Sequence, residues 1–128
     1  MSSYEDLNVY RRSFEAAKKI YEVTRKLPKD ELYGITSQIK RAALSILLNI
    51  AEGYGKQLNN TTKTLPKAEF RRYLIIAVGS SNEVKVLLEF CMEMEFIEME
   101  TCISLKDEYS QIGKMLNGLI KKCEVDSI

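Results

Sequence analysis

Between Ser37 and Lys56 the chain reads SQIKRAALSILLNIAEGYGK, apolar on nearly every side yet crossed by Gln38, Arg41, Ser45, Asn49 and Glu52 at spacings of 3, 4, 4 and 3. At about 100° per residue, those five residues fall within an arc of roughly 80° on one helix. Ile39, Ala42, Ala43, Leu44, Ile46, Leu47, Leu48, Ile50 and Ala51 fill the rest. A helix apolar over so much of its circumference must be wrapped by protein on most sides. Three neighbouring helices in a chain of 128 residues cannot cover that arc fully, so a homo-oligomer is expected.

The remaining helices follow from the same periodicity. The first is expected from about Tyr4 to Lys26, with Leu7, Tyr10, Phe14, Ala17, Tyr21 and Thr24 at the 3,4 spacing of a bundle seam. Pro28 closes it, because proline neither donates to a helix nor fits its interior. PKDELYG is a turn, and Thr36 or Ser37 is placed to cap the second helix, which runs to about Gly53–Lys56. KQLNNTTKTLPK is the one clear loop, rich in Asn and Thr, and its Asn-x-Thr matches are better read as loop polarity than as glycosylation acceptors. Pro66 sits where a third helix begins, a tolerated position. That helix is expected from about Lys67 to Met94, and a fourth from about Glu98 to Cys123. In the fourth, Cys102, Leu105, Tyr109, Ile112, Leu116, Leu119 and Cys123 keep the 3,4 spacing. EMEFIEME, between the two, contains neither Gly nor Pro to mark their boundary. No strand pattern competes. Short connections imply antiparallel neighbours, so the expected fold is all-α: a single domain over 1–128, folded as an antiparallel up-down four-helix bundle.

Composition removes several chemistries. There is no His, so Ser-His-Asp and Cys-His mechanisms lack their base, and His-containing zinc and di-iron sites cannot form. All-helical ribonucleases built on an Arg-x4-6-His motif are excluded as well. Cys91, Cys102 and Cys123 form no CxxC pair, which suits reduced core thiols in the cytoplasm. The N-terminal stretch has no signal-peptide core, and no apolar run is long enough to span a membrane. The net charge of +1 hides an asymmetry: residues 1–72 hold 14 Lys and Arg against 8 Asp and Glu, and residues 73–128 hold 5 against 10. Such a split suits either a nucleic-acid face or two halves that attract each other.

The polar stripe has two readings. It can simply face water. Against that, its middle is Ser45 and Asn49, not Lys and Glu. The third helix carries a matching stripe of Glu69, Arg72, Ser80 and Glu83. In an antiparallel hairpin this sets Arg41 level with Glu83, Ser45 near Gly79 and Ser80, and Glu52 near Arg72 or Arg71. The favoured expectation is a partly buried, charge-paired seam, with the small residues at 79–81 allowing close helix approach. Such a seam fixes register more than it stabilises, and removing Arg41 or Glu83 from it would cost about 3–5 kcal/mol.

LPKDELYGITSQIKRAALSILLNIAEGYGK followed by EFRRYLIIAVGSSNEVKVLLEF resembles the four-helix-bundle family of 23S rRNA intervening-sequence proteins. The family pattern falls here on Pro28, Glu31, Tyr33, Gly34 and Ile35; on Gln38, Arg41 and Ala42; on Asn49 to Gly53; and on Gly79, Ser80 and Glu83. Ile35 stands for a Leu, the QLNNTTKTLP loop is longer than the family's linker, and a Gly near Glu95 is missing. The resemblance covers roughly Tyr4 to Lys121. It implies a ring-like homopentamer with no enzymatic activity, related to the accessory variability determinant of diversity-generating retroelements, which presents a basic surface to nucleic acid.

Three functions compete. In the first helix Arg11, Lys18 and Arg25 form one column at seven-residue spacing, with Arg12, Lys19 and Lys26 beside it. Repeated around an oligomer, they suit a track for RNA or DNA phosphates; flanked by Glu15 and Glu22, they are equally an ordinary solvated face. The aromatic residues of that helix are expected on the core seam, which leaves base stacking without a platform. EFCMEMEFIEME, joining Glu to Met and Phe, would instead make the acidic half a protein-docking scaffold. Glu89, Glu93, Glu95 and Glu98 are the only dense carboxylate cluster, but a magnesium enzyme needs paired Glu-x-x-Glu elements and only one is present. The expectation is therefore a non-enzymatic protein with no cofactor, metal, small-molecule substrate or membrane partner.

Overall fold

A computed structural model describes the backbone of residues 7–59 and 65–127, and the side chains of residues 7–55 and 68–124. It contains four α-helices: α1 (Asn8–Thr24), α2 (Ile35–Asn59), α3 (Leu65–Glu93) and α4 (Met99–Ser127), with a 3-10 turn at Lys29–Glu31 between the first two. No strand occurs among the described residues. Each helix lies beside two others, α1 beside α2 and α4, and α3 beside α2 and α4; among the described residues the backbones of the diagonal pairs, α1 with α3 and α2 with α4, do not approach each other. Contacts pair rising with falling residue numbers: Ser45 with Ser80 and Tyr54 with Phe70 between α2 and α3, and Arg71 with Glu124, Ser81 with Tyr109 and Glu89 with Lys106 between α3 and α4. The helices therefore alternate in direction, as their short connections require.

Both Pro positions behave as expected. The last amides of α1 reach back only three residues, Lys26 to Val23 and Leu27 to Thr24, and Pro28 follows. Pro66 lies in the first turn of α3, where its missing N–H has no partner to lose. The polar loop is shorter than expected, since α2 continues to Asn59 and α3 starts at Leu65; its centre, 60–64, lies outside the described residues, as does the expected start of α1 at Tyr4. Thr36 is not a cap. Thr36 is buried inside α2, and its hydroxyl has no hydrogen-bond partner.

The α3–α4 boundary is set by a Schellman turn. Glu95 adopts φ 62°, Phe96 N donates to Cys91 O (2.8 Å) and Glu95 N donates to Met92 O (2.9 Å). Phe96 packs on the cluster containing Cys91, the apolar contact that accompanies this motif. A Glu thus occupies the left-handed position where Gly is usual, so sequence carried no Gly to announce the turn.

The core draws on all four helices: Ile20 and Ala16 of α1, Ile39, Ala43, Ile46 and Ile50 of α2, Leu74, Ala77, Val84 and Leu88 of α3, and Tyr109, Ile112 and Leu116 of α4. The α4 seam is buried as its spacing predicts, except that Leu119 is only partly covered. The α1 seam is displaced. Val9, Ser13, Ala16, Ile20 and Leu27 are buried together with Ala17 and Thr24, while Phe14 is 45% exposed and Tyr10 and Tyr21 are half-buried. Val9, Ser13, Ala16, Ile20, Val23 and Leu27 form a second 4,3 stripe one residue from the expected one. The small side chains in it let α1 lie close to its neighbours.

Close approach of α2 and α3 occurs at Gly53 and at Ser80, whose short hydroxyl reaches that of Ser45, but not at Gly79. A Cβ on Gly53 would stand 2.7 Å from Tyr73 Cβ and 3.1 Å from Phe70 Cδ1, whereas a Cβ on Gly79 would meet nothing within 4 Å. Ser81 is buried against α4 instead, its Oγ donating to Tyr109 O at 3.0 Å.

Candidate functional site

The facing stripes of α2 and α3 meet in the expected register. Ser80 Oγ donates to Ser45 Oγ at 2.9 Å, and Asn49 Nδ2 donates to Ser45 O (2.7 Å) and Ser45 Oγ (3.0 Å). Gln38, Arg41, Ala42, Ser45, Ser80 and Glu83 line one cleft of about 310 Å³ above this hydroxyl pair. The expected charge pairing is not made. Gln38, Arg41, Glu52, Arg72 and Glu83 are exposed, and no ion pair joins Arg41 to Glu83 or Glu52 to Arg72 among the described residues. Arg72 turns to Glu69 (3.5 Å) and lies over the Tyr73 ring, 4.6 Å from its centroid; Arg71 binds Glu124 at 2.8 Å. Side chains at the rim keep their hydration, and a solvated pair gains only about 0–1 kcal/mol, too little to enforce pairing. The cost of truncating Arg41 or Glu83 in one protomer accordingly falls from the buried-pair range to below about 1 kcal/mol.

The cations of α1 divide into committed and free. Arg12 donates to both carboxylate oxygens of Glu108 across the α1–α4 face, at 3.1 and 2.8 Å, and this hydrogen bonding raises the guanidinium pKa further above its already high value. Arg11 donates to Asn8 Oδ1 (2.7 Å), and Lys18 pairs with Glu15 (3.3 Å). Lys19, Arg25 and Lys26 are exposed and make no ion pair among the described residues. The two sequence columns are therefore not equivalent: Arg12 belongs to the bundle, and its column continues with Lys19 and Lys26 alone.

Displacement of the α1 seam opens a feature that periodicity did not reveal. Phe14, Ala17, Tyr21, Leu44 and Leu47 floor a groove of about 320 Å³ between α1 and α2, with Lys18, Glu22 and Arg25 on its rim. Lys40 lies over the Tyr21 ring, 4.6 Å from the centroid. The sequence signal was present, since Phe14 and Tyr21 each stand four residues before Lys18 and Arg25.

At the far end of the bundle, Lys26, Glu93, Glu95 and Glu98 surround a cavity of about 680 Å³ walled by Val23, Met92, Phe96 and Met99. Glu89 is not part of it; it binds Lys106 of α4, and that contact lowers its pKa. Among the described residues, no group of three or more His, Cys, Asp or Glu gathers to hold a metal ion. No described helix is long and apolar enough to cross a membrane.

Comparison with known proteins agrees with the fold. No curated protein matches the chain. A protein of unknown function from the S23 ribosomal protein family of Bacteroides thetaiotaomicron has a similar crystal structure, with a TM-score of 0.75 and 28% identity over 88% of this chain and 98% of that one. The family model of the 23S rRNA-intervening sequence proteins matches residues 5–118. Four helices and no strand among the described residues, the hairpin register of α2 and α3 and a match over most of its length lead to one assignment: the chain belongs to the family of 23S rRNA-intervening sequence proteins.

Proposed function

We propose that the protein is a one-domain, non-enzymatic bundle that assembles into a ring-like homopentamer in the cytoplasm and associates with RNA or DNA through α1. The observation that carries this reading is the free, exposed set of Lys19, Arg25 and Lys26, beside Lys18, on α1 and the turn that leaves it. These side chains suit phosphate contacts, which position a polymer without reading its bases. A ring repeats the set and raises avidity with no new contact. The test replaces Lys19, Arg25 and Lys26 by Gln and measures RNA and DNA binding against salt together with oligomer mass. Binding that weakens steeply with salt, and is lost in the variant while the mass is kept, supports the track. Wild-type protein that binds neither polymer at about 50 mM salt sinks it.

A second reading, a protein-docking scaffold, is favoured by Phe90, Met94 and Met99, all exposed around the acidic end of the bundle. Adaptable Met side chains beside carboxylates suit a basic, apolar partner segment.

A further inference from the structure

The polar stripes of α2 and α3 build a cleft as well as a seam. Gln38, Arg41, Ala42 and Ser45 share one face of α2, and Ser80 and Glu83 lie a turn apart on α3. The two helices run antiparallel and Ser45 meets Ser80, so Arg41 and Glu83 lie on the same side of that contact, each one turn from it. The cleft of about 310 Å³ thus has the hydroxyl pair as its floor, Arg41 on one wall, Glu83 on the other and Gln38 a turn further out.

Three polar groups around this cleft are unspent. Asn49 Nδ2 donates to Ser45 Oγ (3.0 Å), and one hydrogen bond (2.9 Å) joins the Ser45 and Ser80 hydroxyls. Two hydroxyls carry two protons and the bond between them uses one, so one O–H is left with no acceptor among the described residues. Arg41 and Glu83 are exposed, and neither makes an ion pair among the described residues.

We propose that the cleft binds a free α-amino acid, its carboxylate on Arg41 and the spare hydroxyl proton, its ammonium on Glu83. Charge selects this class. A simple anion would meet Glu83, and a metal cation would meet Arg41 and only one carboxylate. An uncharged molecule leaves both walls no better paired than water does. A peptide carries its two terminal charges too far apart to place both here. An amino acid holds them on one carbon, and the planar guanidinium of Arg41 matches its carboxylate oxygens in pairs. Size agrees, because the cleft stands at the lower end of the roughly 300–1,000 Å³ typical of small-ligand pockets. Ala42 is the one apolar residue lining it, so the ligand's own side chain is small or polar. Such a site is separate from the α1 cations and involves no chemistry on the ligand.

Saturation-transfer NMR on the full chain, with L-serine and L-glutamine as probes, tests the site. Saturable binding in the millimolar range is expected for ligands of so few atoms in an open cleft. N-acetyl-L-serine lacks the ammonium and L-serine methyl ester lacks the carboxylate; each should bind at least about tenfold more weakly, since each leaves one wall unanswered. Arg41→Gln and Glu83→Gln should weaken L-serine to the same degree, whereas Arg72→Gln, on α3 outside the cleft, should not. Arg41 and Glu83 are exposed, so their variants are expected to keep the wild-type helical circular dichroism. Should either lose it, the two analogues on the wild-type protein still decide. No saturable signal from either amino acid at tens of millimolar overturns the site. Equal binding of an analogue means that the cleft takes a single charge, and undiminished binding by both folded Gln variants puts the amino acid elsewhere; either result overturns the proposal.

Discussion

Gly53→Ala opposes two effects, a helix-propensity gain and an overpacking cost, and the cost equals or exceeds the gain. In a helix interior Ala is favoured over Gly by about 1 kcal/mol. At Gly53, however, the new methyl would stand 2.7 Å from Tyr73 Cβ and 3.2 Å from Tyr73 Cγ. Tyr73 Cβ is fixed to the α3 backbone and cannot swing aside, so α2 and α3 must part locally by several tenths of an ångström. That parting loosens the Tyr54–Phe70 edge-to-face pair, now at a centroid separation of 5.8 Å. Overpacking of this kind costs roughly 1–3 kcal/mol, so the net effect is a loss of about 0–2 kcal/mol after the propensity gain. Gly118→Ala in α4 is the control, since its Cβ meets nothing within 4 Å and only the gain remains. Urea unfolding at one protomer concentration should separate the two variants by about 1–3 kcal/mol at unchanged m. Equal stabilisation by both would show that the helices do not touch at Gly53.

Glu95→Gly should stabilise by about 0.5–1 kcal/mol in thermal or urea unfolding, because it removes a left-handed side chain; a loss would mean the Glu95 side chain holds the turn. Tyr109→Phe should be neutral or stabilising, since the buried hydroxyl of Tyr109 has no partner, and a loss above about 1 kcal/mol would reveal one. A double-mutant cycle on Arg12→Ala and Glu108→Ala should give a coupling near 0.5–1 kcal/mol, the range for a half-exposed bidentate pair, falling with salt. Burial pushes the Cys91 thiol up to about 11, so at pH 8 only about one thiol in a thousand is ionised; it should resist a disulfide reagent until the protein unfolds, and rapid reaction in the folded state would refute the burial.

Local rules made most of the fold legible. Pro28 and Pro66 marked helix ends because proline acts through its own ring, and the α4 seam could be read because its 3,4 spacing has no rival. In α1 two stripes of equal regularity run side by side and both enter the core: Leu7, Ala17 and Thr24 of the expected stripe are buried, but the fit of Ser13, Ala16 and Ile20 against neighbouring helices turns its aromatic members Tyr10, Phe14 and Tyr21 outward. The same ambiguity hid the Phe14–Tyr21 groove. Register between α2 and α3 followed from their stripes, but the state of the charged side chains did not. Pairing of Arg41 with Glu83 depends on solvation at a rim, which no spacing encodes. The turn at Glu95 escaped because a strained residue stands where the usual Gly signal would be.

The bundle is unevenly tied together. α2 meets α3, and α3 meets α4, far more extensively than α1 meets either neighbour, and the α1–α4 face is the sparsest of the four. The densest packing thus joins helices consecutive in the chain, a topology of short loop closures that favours rapid folding. The α1–α4 face must instead bring together residues as distant in sequence as Arg12 and Glu108 for few contacts. Such a segment docks late and undocks first, as a cooperative unit that leaves the other helices formed. Amide exchange should therefore be fastest in α1. Lys19 and half of the groove ride on that helix, and Arg25 and Lys26 directly follow it, so a single opening event withdraws both surfaces at once.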